Sequence, residues 1–332
     1  MRVLQVSSAR AFGGGERHLA DLARGLAGRG HELFAALAEG SPLGERLPFL
    51  PLRHVRTLPL RNAVDLRGAL GLAALARESE ADVIHAHVAR DYTLAAFAAR
   101  RAPRARLVIT RHVLFPLSRV HRVALSNVSR VIAVSGAVAR ALREQKIFDD
   151  EKIRVVEHGI DLARFARARE EYERSLAAAT HAGGSETRPL RVGIVGELSA
   201  VKGQADFLHA AALLCERFGS GVEFVVAGAD ASRGGEYGAH VARLVEGLGL
   251  TGRVSLLGRV EEEELPRVVA SLDVLVSASR SEAFGIAMVE ANACGVPVVA
   301  TSTEGAREIV EDGATGLLVP VDDARAMAAA VA

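Results

Sequence analysis

Residues 273–301 read DVLVSASRSEAFGIAMVEANACGVPVVAT. Residues 273–276 and 297–300 are short apolar strands, and between them a loop leads into a helical segment at 286–294 that opens near Gly285. The strands are apolar at consecutive positions, so both faces of each are buried, as in a parallel sheet covered by crossover helices. Working outward, the same alternation fills the second half: strands at 190–195, 222–227 and 253–257, with helices near 203–217, 236–248 and 261–271. The first half repeats it, with strands at 2–7, 32–38, 82–86, 106–110 and 130–134 and helices near 16–29, 64–80, 90–101, 117–127 and 136–145. Residues 166–189 are charged and then rich in turn formers, which reads as a linker. The expectation is two doubly wound, Rossmann-like α/β domains, 1–165 and 190–332. In such sheets ligands sit beyond the carboxyl ends of the strands, so two domains facing across a cleft suit an activated donor and its acceptor. The chain stops inside a helix that starts near Asp322, so the second domain is expected to lack its final helix.

Composition narrows the class. With 332 residues, 49% apolar and 24% charged, the chain is globular and long enough for two cores. Cys215 and Cys294 show no ligand spacing with His, against a disulfide framework or a zinc site, and a reducing cytoplasm is the expected compartment. No apolar run approaches the roughly 20 residues of a membrane-spanning helix, and the start reads as a strand and not as a signal peptide. The net charge of +1 conceals a division: residues 1–165 carry 26 Lys+Arg against 16 Asp+Glu, a net +10, and residues 166–332 carry 15 against 24, a net −9. Either Arg is scattered unevenly, or the first half meets something anionic such as a membrane surface or a phosphorylated acceptor.

Several residues carry candidate chemistry. At the helix start near Gly285, the amides of Phe284, Gly285 and Ile286 can receive a phosphate. Glu282 and Glu290 flank them; carboxylates repel a diphosphate, so they either accept hydrogen bonds from sugar or ribose hydroxyls, or serve as a helix cap and a solvated face. Gly13, Gly14 and Gly15 follow the first strand, where glycine permits positive φ or close approach to a phosphate, or makes an ordinary turn. They do not form G-x-G-x-x-G, which disfavours a dinucleotide fingerprint. Lys202, one of three lysines, either neutralises a leaving phosphate or is simply solvated. His112 ends the fourth strand. His85 and His87 are expected to face opposite ways.

These pieces occur in a particular order: Gly13-Gly14-Gly15-Glu16, His85-Ala86-His87, Thr110-Arg111-His112, Val134-Ser135, His158-Gly159-Ile160-Asp161, Gly196-Glu197-Leu198 with Lys202-Gly203, the Glu282/Glu290 block, and the glycine loops at Gly305 and Gly313. Together they resemble the family 4 glycosyltransferases of the GT-B fold. The resemblance implies a retaining, metal-independent hexosyltransferase with no cofactor, whose substrate is a nucleotide-diphosphate sugar of UDP or GDP type. It assigns catalytic roles to His112, Glu282 and Lys202, and donor contacts to Gly14, Gly15, Glu197, Lys202, Phe284, Gly285, Ile286 and Glu290. The second domain would hold the donor, the first a saccharide or lipid-linked acceptor of cell-envelope synthesis, on the cytoplasmic face of the membrane and without nucleic acid. The family usually has Arg where Glu197 stands, and Arg280 or Arg111 would have to replace its charge. Two other readings stay open: a non-catalytic nucleotide-sugar-binding protein of this fold, and a sugar-nucleotide epimerase.

Overall fold

The computed structural model describes residues 1–181, 188–230 and 234–332. Its contacts divide the chain into two units, Met1–His158 and Gly159–Ala332.

In the first unit seven strands form a parallel sheet: β1 (Arg2–Ser7), β2 (Glu32–Ala38), β3 (Val55–Leu58), β4 (Val83–Ala86), β5 (Arg106–Arg111), β6 (Val128–Ala133) and β7 (Ile153–Val155). Their order is β3-β2-β1-β4-β5-β6-β7. The chain therefore winds one way from β1 and then reverses to place β4 on its other side, so the loops after β1 and β4 diverge and open a crevice at their carboxyl ends. Strand β1 fixes the register on both sides, with Val3 opposite Leu33 of β2 and Val83 of β4. One face of this sheet packs Val3, Leu33, Ala35 and Leu37 under Leu19, Ala20 and Ala23 of the helix Gly14–Gly28. The spacing of those three helical residues puts them on one stripe, the geometry of an amphipathic crossover helix.

The second unit repeats the design with β8 (Leu190–Val195), β9 (Val222–Ala227), β10 (Val254–Gly258), β11 (Val274–Ser277), β12 (Val298–Thr301) and β13 (Gly316–Val319), all parallel, in the order β10-β9-β8-β11-β12-β13. Here β9 shows why a continuous apolar run is needed. Phe224 and Val226 enter a core with Phe207 and Leu208, while Val225 and Ala227 point the other way into a core with Leu272, Leu275 and Met288. Each fully buried side chain of this size contributes about 2 kcal/mol.

Some expectations need correction. Residues 166–181, read as linker, belong to the helix Leu162–His181, whose Phe165 and Ala168 are buried in the second unit's core. Arg169 ties the same helix to that unit by donating to the carbonyls of Ala270 and Leu272 at 3.0 and 3.3 Å. Residues 182–187 of that segment lie outside the described residues. The expected helix at 117–127 shrinks to His121–Ala124; the amide of Leu117 instead bonds the Gln145 side chain at 2.8 Å, and β6 already begins at Val128. Strands β3, β7 and β13 were not anticipated.

Candidate functional site

Both sheets reverse their winding beside their first strand, and the singled-out residues collect there. In the second unit the reversal lies between β8 and β11. The loop after β8 ends in a single helical turn, Ala200–Lys202, and Gly203, whose φ of +69° lets it cap the helix Gln204–Phe218. The loop after β11 runs from Ala278 to Gly285, which caps the helix Ile286–Ala293 with φ +98°. The two loops are laced together. Arg280 donates its amide to Val201 O at 2.8 Å and a guanidinium N–H to Ala200 O at 2.6 Å. Across them, Lys202 Nζ meets Glu282 Oε2 at 2.7 Å, and the same carboxylate oxygen accepts from Ser279 Oγ at 3.2 Å. Gly305 completes the arrangement: its amide donates to Glu282 O at 3.1 Å, and a side chain there would strike the backbone of 282–284.

The structure thus brings Lys202 and Glu282 into direct contact and sets both beside the N-terminus of Ile286–Ala293. The amides of a helix's first turn have no intrahelical acceptor, so Ile286 belongs to an anion-attracting end. Phe284 is buried. Glu290, one turn in, is 1% exposed, which removes the reading of it as a solvated face. Glu197 is exposed, and its carbonyl accepts from Gln204 Nε2 at 2.9 Å. Arg280 is not a spare cation in its place, since it pairs with Asp206 and Asp322, each at 2.7 Å. Arg111 is buried in the first unit and donates to Phe115 O.

Close approach makes one glycine testable. A Cβ on Gly203 would lie 2.0 Å from Ala278 O, on top of the left-handed φ. Gly203→Ala is expected to destabilise the second unit by about 3–5 kcal/mol through strain and loop separation. Urea unfolding reads this directly, and an unchanged midpoint would contradict the contact.

In the first unit the reversal lies between β1 and β4. The three glycines do not use positive φ: Gly13 is extended at φ −136°, and Gly14 and Gly15 are the first residues of their helix. The Glu16 carboxylate turns back to accept the Gly13 amide at 3.0 Å. A Cβ on Gly15 would meet the His112 ring at 3.7–4.0 Å, ordinary contact distance, so the Gly15 backbone lies against that imidazole.

His112 belongs to a cluster of five histidines. Its ring stacks on His158 at 5.3 Å and meets His18 edge-on at 5.4 Å, while Nε2 is 3.3 Å from His87 Nδ1. His87 Nε2 reaches Gln5 Oε1 at 2.8 Å, and His85 Nε2 reaches Thr110 Oγ1 at 2.7 Å. His85 and His87 face the same way, with ring centroids 4.1 Å apart, as residues two apart on a strand must. Burial, reinforced by neighbouring imidazoles, holds His87 and His112 well below the usual histidine range. Burial also lowers His18 to about 4 and His85 and His158 to about 3. Among the described residues no group of three His, Cys, Asp or Glu side chains is arranged to hold a metal ion.

Sequence reasoning missed Gln5, His18 and Asp91. Asp91 is fully buried and accepts the Ser8 amide at 2.7 Å, which ties the loop after β1 to the segment after β4; burial raises it to about 6. The available signal was polarity at inward positions of apolar elements, as at Gln5 in RVLQVS.

Two parallel sheets, with strand orders 3-2-1-4-5-6-7 and 3-2-1-4-5-6 counted from the first strand of each, and polar residues at each reversal, define the GT-B class of α/β proteins. The family description "Glycosyltransferase Family 4" matches residues 12–164, and "Glycosyl transferases group 1" matches residues 180–332. The chain belongs to the family 4 glycosyltransferases. The D-inositol 3-phosphate glycosyltransferase of Salinispora tropica is 28% identical over 346 residues, taking in 94% of this chain and 71% of that one. A protein of the same name from a Mycobacterium species (strain KMS) is 36% identical over 175 residues, which is 53% of this chain and only 37% of that one. Among solved structures, HepE of Anabaena in complex with UDP and glucose has a TM-score of 0.81 at 27% identity, covering 100% of this chain and 89% of that one. The same protein in complex with UDP-glucose gives 0.81 at 26%. Among the described residues no helix is long and apolar enough to cross a membrane.

Proposed function

We propose that this glycosyltransferase moves a hexosyl group, with retention, from a nucleotide-diphosphate sugar to a saccharide or lipid-linked acceptor of envelope glycan synthesis. The observation that carries the reading is the 2.7 Å contact between Lys202 and Glu282 where the winding of the second sheet reverses, beside the glycine-capped helix Ile286–Ala293. An arriving diphosphate would take the ammonium over from Glu282. Lys202 and the amides of Phe284, Gly285 and Ile286 would then carry the charge that grows on the leaving phosphate, where stabilisation lowers the barrier most. Glu282, released, would accept hydroxyls of the sugar, and Glu290 those of the ribose. The first unit would hold the acceptor and offer Gly14 and Gly15 to the donor diphosphate and His112 to the transferred sugar. The leaving phosphate would help to take the acceptor proton. UDP-glucose is the first donor to test, because the Anabaena relative binds it. Nucleotide release in the presence of a cell extract as acceptor source measures turnover, and absence of release with every UDP- and GDP-sugar would refute the proposal.

Glu197 places a negative charge where the family usually has a positive one, which favours weak donor binding. Glu197→Arg is expected to tighten donor binding roughly tenfold, as one added charge-assisted contact of about 1.4 kcal/mol would. Calorimetry would show this, and weaker binding by the variant would place Glu197 itself in donor recognition.

A lipid-linked acceptor on the inner membrane face is supported by the charge distribution. Residues 92–143 contain ten Arg and no Asp or Glu. Within them Phe115, Val120 and Val123 are 67%, 74% and 79% exposed, with Arg119 and Arg122 exposed beside them. Exposed apolar side chains beside exposed arginines suit an anionic bilayer surface. The chain is expected to bind phosphatidylglycerol vesicles at least tenfold more tightly than phosphatidylcholine vesicles, and to release them at about 0.5 M salt, where screening is nearly complete. Equal binding to both lipids would remove the membrane from the proposal.

A further inference from the structure

We infer that Gln5 is a positioning residue that, through His87, fixes which nitrogen of His112 carries the proton. The inference rests on the proposed place of His112 at the transferred sugar, and it is carried by a chain of contacts in the first unit's core. Gln5 is on β1 and is 1% exposed; its carboxamide oxygen lies 2.8 Å from His87 Nε2. A carbonyl oxygen can only accept, so His87 carries its proton on Nε2 and presents a lone pair at Nδ1. That atom is 3.3 Å from His112 Nε2, which must then be the protonated nitrogen. Both rings are neutral at pH 7, since burial disfavours their charged forms. His112 is left with an unprotonated Nδ1, which is buried and has no hydrogen-bond partner among the described residues. His158, stacked at 11° to the His112 ring, and His18, edge-on at 65°, restrict ring rotation.

The consequence is chemical. His112 held in this form accepts a hydrogen bond at Nδ1, on the ring whose atoms lie against Gly15. It orients a hydroxyl and does not deliver a proton to a leaving oxygen.

Long-range 1H–15N correlation of the whole chain labelled at histidine nitrogens distinguishes the two neutral tautomers at pH 7.5, with His112 assigned through His112→Asn. The wild-type chain is expected to show His112 in the Nε2–H form, and Gln5→Glu, whose ionised carboxylate can only accept, to keep it. Gln5→Leu is expected to give a mixture of tautomers and a turnover about tenfold lower, with the donor KM changed less than twofold. An Nδ1–H form in the wild-type chain would overturn the inference, because it would mean that the Gln5 amide donates and both protons are reversed. So would an unchanged His112 pattern in folded Gln5→Leu. The tautomer is read without donor or acceptor, so failure of the proposed transferase reaction would leave this measurement intact.

Discussion

Replacement of Glu290 by Ala is expected to abolish the rise in unfolding temperature that UDP confers on the wild-type chain. A ligand present at 100 times its Kd and bound only to the folded state stabilises it by about 2.7 kcal/mol, or roughly 5–10 °C for a unit of this size. Glu290 is buried one turn inside the helix Ile286–Ala293, where a carboxylate can hold two ribose hydroxyls at fixed distance. Hydrogen bonds to a charged group contribute about 1.5–3 kcal/mol each, so removing them weakens UDP by on the order of 100-fold or more. Turnover should fall at least as far. The unliganded unfolding temperature of Glu290→Ala serves as the folding control, and Glu290→Gln, which keeps the shape, should retain part of the shift. A full shift in folded Glu290→Ala would end the assignment of this residue to the nucleotide.

The second large effect is expected on acidification. The five clustered histidines are neutral in the fold, His18 down to about 4 and His85 and His158 down to about 3, with His87 and His112 also well below the ordinary 6.5. Between pH 6.5 and 4 the unfolded chain therefore binds protons that the folded chain refuses, and stability falls as the pH falls. Each such histidine steepens the loss by up to about 1.4 kcal/mol per pH unit. Asp91, raised to about 6, works in the opposite direction, since the fold keeps its proton above the pH at which the unfolded chain releases it. One group against five leaves the sign unchanged, and a domain stability of about 5–15 kcal/mol would be largely consumed before pH 4. Hydrogen exchange read on peptides of the first unit should show opening that accelerates steeply from pH 6.5 downward, after correction for intrinsic exchange. A protection free energy that stays flat over this range would mean that the cluster is hydrated and titrates normally.

How much of this was legible in the sequence depended on burial. Interior strands such as β9 announce themselves because both faces are covered and the run VEFVVA is nearly all apolar. Strands β3 (VRTL) and β7 (IRV) lie at sheet edges, where partial exposure relaxes the apolar requirement and the pattern disappears, and β13 (GLLV), also at an edge, is apolar but only four residues long. The helix Leu162–His181 was hidden for a related reason: Phe165, Ala168 and Tyr172 make a narrow buried stripe, and the charged residues between them dominate any window. At the site, the loops bearing Lys202 and Glu282 could be placed by topology alone, because the strand order fixes which strand ends diverge. Their direct ion pair could not, since it depends on a contact 80 residues apart in sequence. The histidine cluster was obscured by treating each histidine singly, and by assigning His85 and His87 to opposite faces when a two-residue step returns to the same one.

The most direct measurement is a crystal structure of the chain soaked with UDP. The diphosphate should lie within hydrogen-bond distance of the Gly285 and Ile286 amides and of Lys202 Nζ, with the Lys202–Glu282 contact opened and the ribose hydroxyls on Glu290. A nucleotide bound elsewhere, with that ion pair still closed at 2.7 Å, would show that the winding reversal of the second sheet is not the donor site.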